Sequence, residues 1–134
     1  NGDHQVILTF AEPVQTMGSV ALTSNSGSVT SSVISGATIT VNLTGIANQQ
    51  IITLGLTNVS TGTVSANFSV SMGVLLGDTN GNGTVNASDV GQTKSFSGQA
   101  LDVTNFRADV NLSGSINASD IGLVKSKAGT LLPP

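Results

Sequence analysis

The sequence predicts an α+β protein of two domains, an antiparallel β-sandwich followed by a small α-helical domain, and three observations carry that expectation. The first 73 residues hold six short runs rich in Val, Ile and Thr, broken by Gly, Asn and Ser. The last half holds one supersecondary unit written twice, Asp78 to Gly98 and Asp109 to Gly129, identical at 11 of 21 positions and offset by 31. Between them, residues 74–77 (Val-Leu-Leu-Gly) form an apolar joint, where a flexible linker would be longer and polar. The expected boundaries are therefore 1–73 for the sandwich, 74–77 for a joint packed between the domains, and 78–134 for the helical domain.

Taken in order, strands are expected over 4–11, 19–23, 29–34, 37–43, 50–56 and 63–72. In the first, Val6, Leu8 and Phe10 point one way and Ile7 and Thr9 the other, until Glu12-Pro13 ends it. In the fourth, Ile39, Val41 and Leu43 alternate with Thr38, Thr40 and Asn42, so one face belongs to a core and the other to water. Six strands are fewer than the seven of a full constant-type sandwich, which leaves an edge open. The first strand, with its apolar face otherwise uncovered, is the expected donor or missing partner at that edge.

Within each copy of the repeat the oxygen-bearing side chains recur at fixed spacing. Counting Asp78 as position 1, they fall at 1 (Asp78), 3 (Asn80), 5 (Asn82), 9 (Asn86) and 12 (Asp89), with Gly83 at 6 and the carbonyl of Thr84 at 7. The second copy repeats the scheme with Asp109, Asn111, Ser113, Gly114, Ser115, Asn117 and Asp120. This is the spacing of an EF-hand-type calcium loop, in which alternate positions supply six to eight oxygens and glycine at 6 permits the reversal. A lone D-x-N-x-N-G also suits an Asx-rich turn, but two copies in register, each with an apolar residue at 8 and Asp at 12, favour the cation. Magnesium, which keeps its waters, fits less well than calcium. Helices are expected to follow the loops over 87–96 and 118–127, with Val90 and Thr93, and Ile121, Val124 and Ala128, turned inward. A shorter middle helix is expected over 103–108, anchored by Phe106, and 131–134 reads as a tail that cannot continue a helix.

Paired loops with Asp at 12 and Asn at 9, a helix after each loop and none before the first, and the duplicated NASD resemble a type I dockerin module over about 78–129. The resemblance implies a small three-helix domain that binds two calcium ions and docks onto a cohesin partner. It further implies that positions 10, 11, 17 and 18 form much of the docking face, here Ala87, Ser88, Lys94 and Ser95, and in the second copy Ala118, Ser119, Lys125 and Ser126. Lysine at 17 follows the family, whereas serine at 18 replaces a commonly basic residue. The N-terminal strands look like the immunoglobulin-like modules that often precede dockerins.

Composition narrows the function further. Charged residues make up 8% and aromatics 3%, and Cys, Trp and Tyr are absent. All four basic residues (Lys94, Arg107, Lys125, Lys127) lie in the C-terminal half, so no basic patch addresses nucleic acid. No run approaches the ~20 apolar residues that span a bilayer. Catalysis has few groups to use: His4 reads as a solvated strand residue, and of seven carboxylates four belong to the loops while Asp3, Glu12 and Asp102 show no acid–base pairing. Seven N-x-S/T sequons reflect an Asn/Ser/Thr-rich composition, four of them lying in the loops. Cation loops of modest charge fill where calcium is abundant, which points outside the cell. A start at Asn1 with no charged, apolar leader reads as a mature or truncated product. The expected function is thus a non-catalytic, extracellular calcium-binding interaction module that anchors a secreted protein. The alternative is a calcium-stabilised subunit of an extracellular filament or surface assembly, self-associating by strand addition.

Overall fold

The computed structural model describes residues 2–134, and the chain divides into two units, Asn1–Val74 and Leu75–Pro134. The first unit is all strand: β1 (His4–Thr9), β2 (Val20–Thr23), β3 (Ser28–Ser35), β4 (Thr38–Thr44), β5 (Gln50–Ser60) and β6 (Ser65–Val74). They form two antiparallel three-stranded sheets in the orders β1-β4-β3 and β2-β5-β6. Period-2 alternation decides what is buried. On β4, Ile39, Val41 and Leu43 are buried while Thr38, Thr40 and Asn42 are half-covered, and on β5 Ile52, Leu54 and Leu56 do the same from the other sheet. These six join Val14, Ile46 and Val59 in one core, against which Val6 and Leu8 of the first strand and Phe10 just after it pack part-buried.

The fifth strand runs four residues past the expected end at Leu56. Sequence alternation breaks there because Asn58 adopts a left-handed backbone (φ 48°). Leu56 pairs with Phe68 and Val59 with Ala66, so β5 advances three residues while β6 advances two, which is a β-bulge. The extra residue flips the phase, and Val59 returns to the core beside Leu56. The side chain of Asn67 holds the bulge by accepting the Asn58 amide at 2.8 Å.

Both outer strands of each sheet are edges, and their burial is unequal. On β6, Phe68 and Val70 pair with Leu56 and Leu54 and so share their inward face, yet they are 42% and 37% exposed where the two leucines are 1%. Phe68 meets Phe10 with ring centroids 5.7 Å apart. The first strand pairs over its whole length with β4 of its own chain, and its inward Val6 and Leu8 are half-buried, while Ile7 on the other face is exposed. On the inward side, the uncovered apolar surface expected on β1 therefore lies on β6 instead.

The second unit contains α1 (Ala87–Phe96) and α2 (Ala118–Lys127), with the bounds the repeat predicted. Thr93 and Val124 are buried as expected and Val90 and Ile121 half-buried, but Ala128 is the exposed C-cap of α2 rather than an inward residue. The expected helix over 103–108 is a single 3-10 turn, Phe106–Ala108. Its anchor is not Phe106, which is 57% exposed, but Asn105 and Ala108. Asn105 donates to the Ala100 carbonyl at 2.8 Å and accepts the Asp102 amide at 2.9 Å, so a buried amide side chain closes this segment.

Because each unit has its own core, Leu54→Ala should destabilise the first alone. A fully buried Leu truncated to Ala costs about 2–5 kcal/mol. Chemical denaturation followed by NMR is expected to show early loss of strand signals with those of 87–127 unmoved; simultaneous loss of both would contradict independent cores.

Candidate functional site

The site begins with the need of a tight loop to satisfy its own amides. In the first loop the Asp78 carboxylate accepts three of them: Gly81 (2.8 Å) and Asn82 (3.1 Å) on Oδ1 and Gly83 (2.8 Å) on Oδ2. Asp89 accepts three more, Thr79 (3.0 Å) and Asn80 (3.2 Å) on Oδ1 and Asn86 (2.9 Å) on Oδ2. The side chains of Asn80 and Asn82 fold forward to take the amides of Asn82 and Thr84 at 3.0 and 2.9 Å. The second loop repeats this with Asp109 accepting Ser113 and Gly114, and Asp120 accepting Asn111 and Asn117. Gly83 and Gly114 both have positive φ (81° and 83°), the reversal that position 6 requires.

Position 12 also starts each helix. Asn86 and Asn117 are N-caps whose side-chain oxygens accept the amides of Ser88 and Ser119, and Asp89 and Asp120 return the bond as N3 residues of a capping box. The position 9 oxygens are thus engaged first by the helices. Asp89 and Asp120 are 0% exposed, so one carboxylate ties loop to helix in each copy.

Apolar residues at position 8 join the copies. Val85 and Ile116 are each 1% exposed and, with Ala108 and Val124, make a small core. The Val85 carbonyl accepts the amide of Gly129, which ends the second copy, and the Ile116 carbonyl accepts the amide of Gly98, which ends the first, at 2.8 and 2.9 Å. Each loop is therefore closed by the other repeat.

The loops differ in three respects, of which the sequence itself shows the exchange of Asn82 for Ser113 at position 5. At position 4, Gly81 has φ 75° beneath the Arg107 guanidinium, where a Cβ would stand 2.5 Å from Nη1. Its counterpart Leu112 holds φ 56° with a side chain 88% exposed, a backbone cost of order 1–3 kcal/mol for a non-glycine residue. At position 5, Asn82 presents a carbonyl oxygen, whereas the Ser113 hydroxyl donates to the Ser115 carbonyl at 3.1 Å. The tail is the third difference: Leu131 bridges Thr84, and the Leu132 amide donates to the Gly83 carbonyl at 3.0 Å, so 131–132 line the first loop only. The sequence reading missed Thr79, a buried residue whose hydroxyl reaches Gln92 at 2.9 Å, because its counterpart in the repeat is Val110.

Among the described residues no three His, Cys, Asp or Glu side chains converge. Each loop instead offers two carboxylates with neutral amide, hydroxyl and carbonyl oxygens, a hard all-oxygen set that fits calcium. Asp102 lies outside the loops, where the Thr104 hydroxyl and then its amide hold the carboxyl below its usual range. The eight residues of the expected docking face, Ala87, Ser88, Lys94, Ser95, Ala118, Ser119, Lys125 and Ser126, are all exposed, and Gly91 and Gly122 between them face open space.

Comparison with curated proteins and with solved structures gives no match. The comparison with family models does: residues 76–127, spanning both loops and both helices, match the dockerin type I domain, a calcium-dependent, non-catalytic protein-docking module.

Proposed function

We propose that this chain is a non-catalytic extracellular interaction module whose C-terminal unit docks a secreted protein onto a cohesin-type partner, following an immunoglobulin-like sandwich. The observation that carries it is the duplicated exposed face. Two helices present the same small side chains and one lysine each, and neither set is consumed by the core. Two calcium ions would be held by Asp78, Asn80, Asn82, the Thr84 carbonyl and Asp89, and by Asp109, Asn111, Ser113, the Ser115 carbonyl and Asp120. Asn86 and Asn117, occupied as caps, join through water, as position 9 often does in such loops.

Metal and docking are coupled through the helices. A 10-residue helix is marginal alone, and the buried residues of α1 are Asp89 and Thr93, with no large apolar side chain among them. Without a cation the two carboxylates of each loop repel, and a unit this small has little core to offset that. Each ion adds ~2.7 kcal/mol at a hundredfold excess over Kd. Chelation is therefore expected to erase dispersed NMR signals from 87–127 while 37–72 stay unchanged. The strain at Leu112 and the engaged Ser113 hydroxyl should make the second loop release its ion first. A chelator-insensitive C-terminal unit would refute the reading.

The repeated face also predicts two equivalent binding orientations. Ser88→Asp alone should weaken binding to a cohesin only slightly, since Ser119 remains, whereas Ser88→Asp with Ser119→Asp should abolish it. Calorimetry of both variants decides: loss of binding in the single variant contradicts two-way docking.

A second reading is favoured by the uncovered inward face of β6 at Phe68 and Val70. A strand added beside β6 would cover both, making the sandwich a link in a calcium-stabilised assembly. Regular filaments of the purified chain under the electron microscope, lost in Phe68→Asp, would favour this reading over anchoring; a monodisperse monomer would exclude it.

A further inference from the structure

Of the three Asn-Gly pairs in the sequence, two lie side by side in the first loop, Asn80-Gly81 and Asn82-Gly83. The second loop has Asn111-Leu112 and Ser113-Gly114 at the same positions and so has none. Asparagine before glycine is the arrangement most open to attack by the backbone, because the following nitrogen carries no neighbouring Cβ to obstruct its approach. Here both attacking nitrogens have another task. The Gly81 and Gly83 amides donate at 2.8 Å to the two oxygens of a single carboxylate, Asp78. Both asparagine side chains are meanwhile folded forward onto later amides. The protein thus holds two reactive pairs with one residue, itself a proposed calcium ligand.

We infer that Asn80-Gly81 and Asn82-Gly83 form a self-modification site, silent while the first loop is closed around calcium and converted to aspartate or isoaspartate when it opens. In the opened loop the glycine nitrogen loses its proton and bonds to the asparagine Cγ, and the side-chain nitrogen leaves as ammonia. Water then opens the cyclic imide at either carbonyl. Opening at one carbonyl gives aspartate, which adds a carboxylate to the donor set. Opening at the other gives isoaspartate, which inserts a methylene into the backbone and displaces Asp78 from the amides it accepts. Loss of calcium therefore leaves a permanent chemical record in the first loop and none in the second.

The inference rests on the calcium reading of that loop, and the test separates the two. The full chain is incubated at neutral pH with calcium or with chelator, calcium binding is followed by calorimetry, and peptide mapping by mass spectrometry reports each asparagine. Conversion of Asn80 and Asn82 is expected under chelator, with Asn111 and Asn117 unchanged. If conversion requires opening, calcium at a hundredfold excess over Kd should slow it roughly a hundredfold. Conversion of Asn111 as fast as Asn82 overturns the proposal. Calcium that binds without protecting overturns it alone, and absence of calcium binding overturns both it and the functional reading.

Discussion

Two buried carboxylates govern the C-terminal unit. Asp89 and Asp120 are each fully shielded from solvent while accepting amides from the start of the loop and from the helix cap. An ionised carboxylate in such a place is stable only when its lone pairs are filled by hydrogen bonds or by a cation. The loop's amides supply the first, and the proposed calcium ion would supply the second. Helix start and loop shape are thus consequences of one group at position 12, and the helices it starts carry the proposed docking face.

The N-terminal unit has the opposite character. Its stability comes from alternation on two central strands, β4 and β5, and its polar groups are secondary. Gln50 is the exception: 1% exposed, it accepts the Asn25 amide at 2.9 Å and donates to Ala47 and to Ser26, stitching the turn before β3 to the start of β5. A buried amide with every bond made fixes a loop that apolar packing could not.

What was legible in the sequence was whatever repeats with a period. Strand alternation located six strands, and the duplicated NASD fixed both helix starts because the capping box writes itself in four letters. Single events were illegible. The alternation ends at Leu56, and only pairing with β6 shows Asn58 as a bulge inside a longer strand. Phe106 reads as an anchor by size, yet the 3-10 turn buries Asn105 because its amide can bond two backbone groups at once. Thr79 and the tail at 131–132 act on the first loop alone, so comparing the copies could not expose them. Oxygen spacing located the candidate ligands, but the prior engagement of Asn86 and Asn117 as caps emerged only from their geometry.

The exchange of hydrogen bonds between the copies sets an order of assembly during synthesis. Ile116 needs Gly98, which has already emerged when Ile116 is made, whereas Val85 must wait for Gly129, 44 residues further on. The loop to be closed in that second pairing is more than twice as long, and the entropy of closure rises with length. A nascent chain can therefore close its second loop through Gly98 while the first, still waiting for Gly129, stays open. The two loops are thus closed in the reverse of their order along the chain.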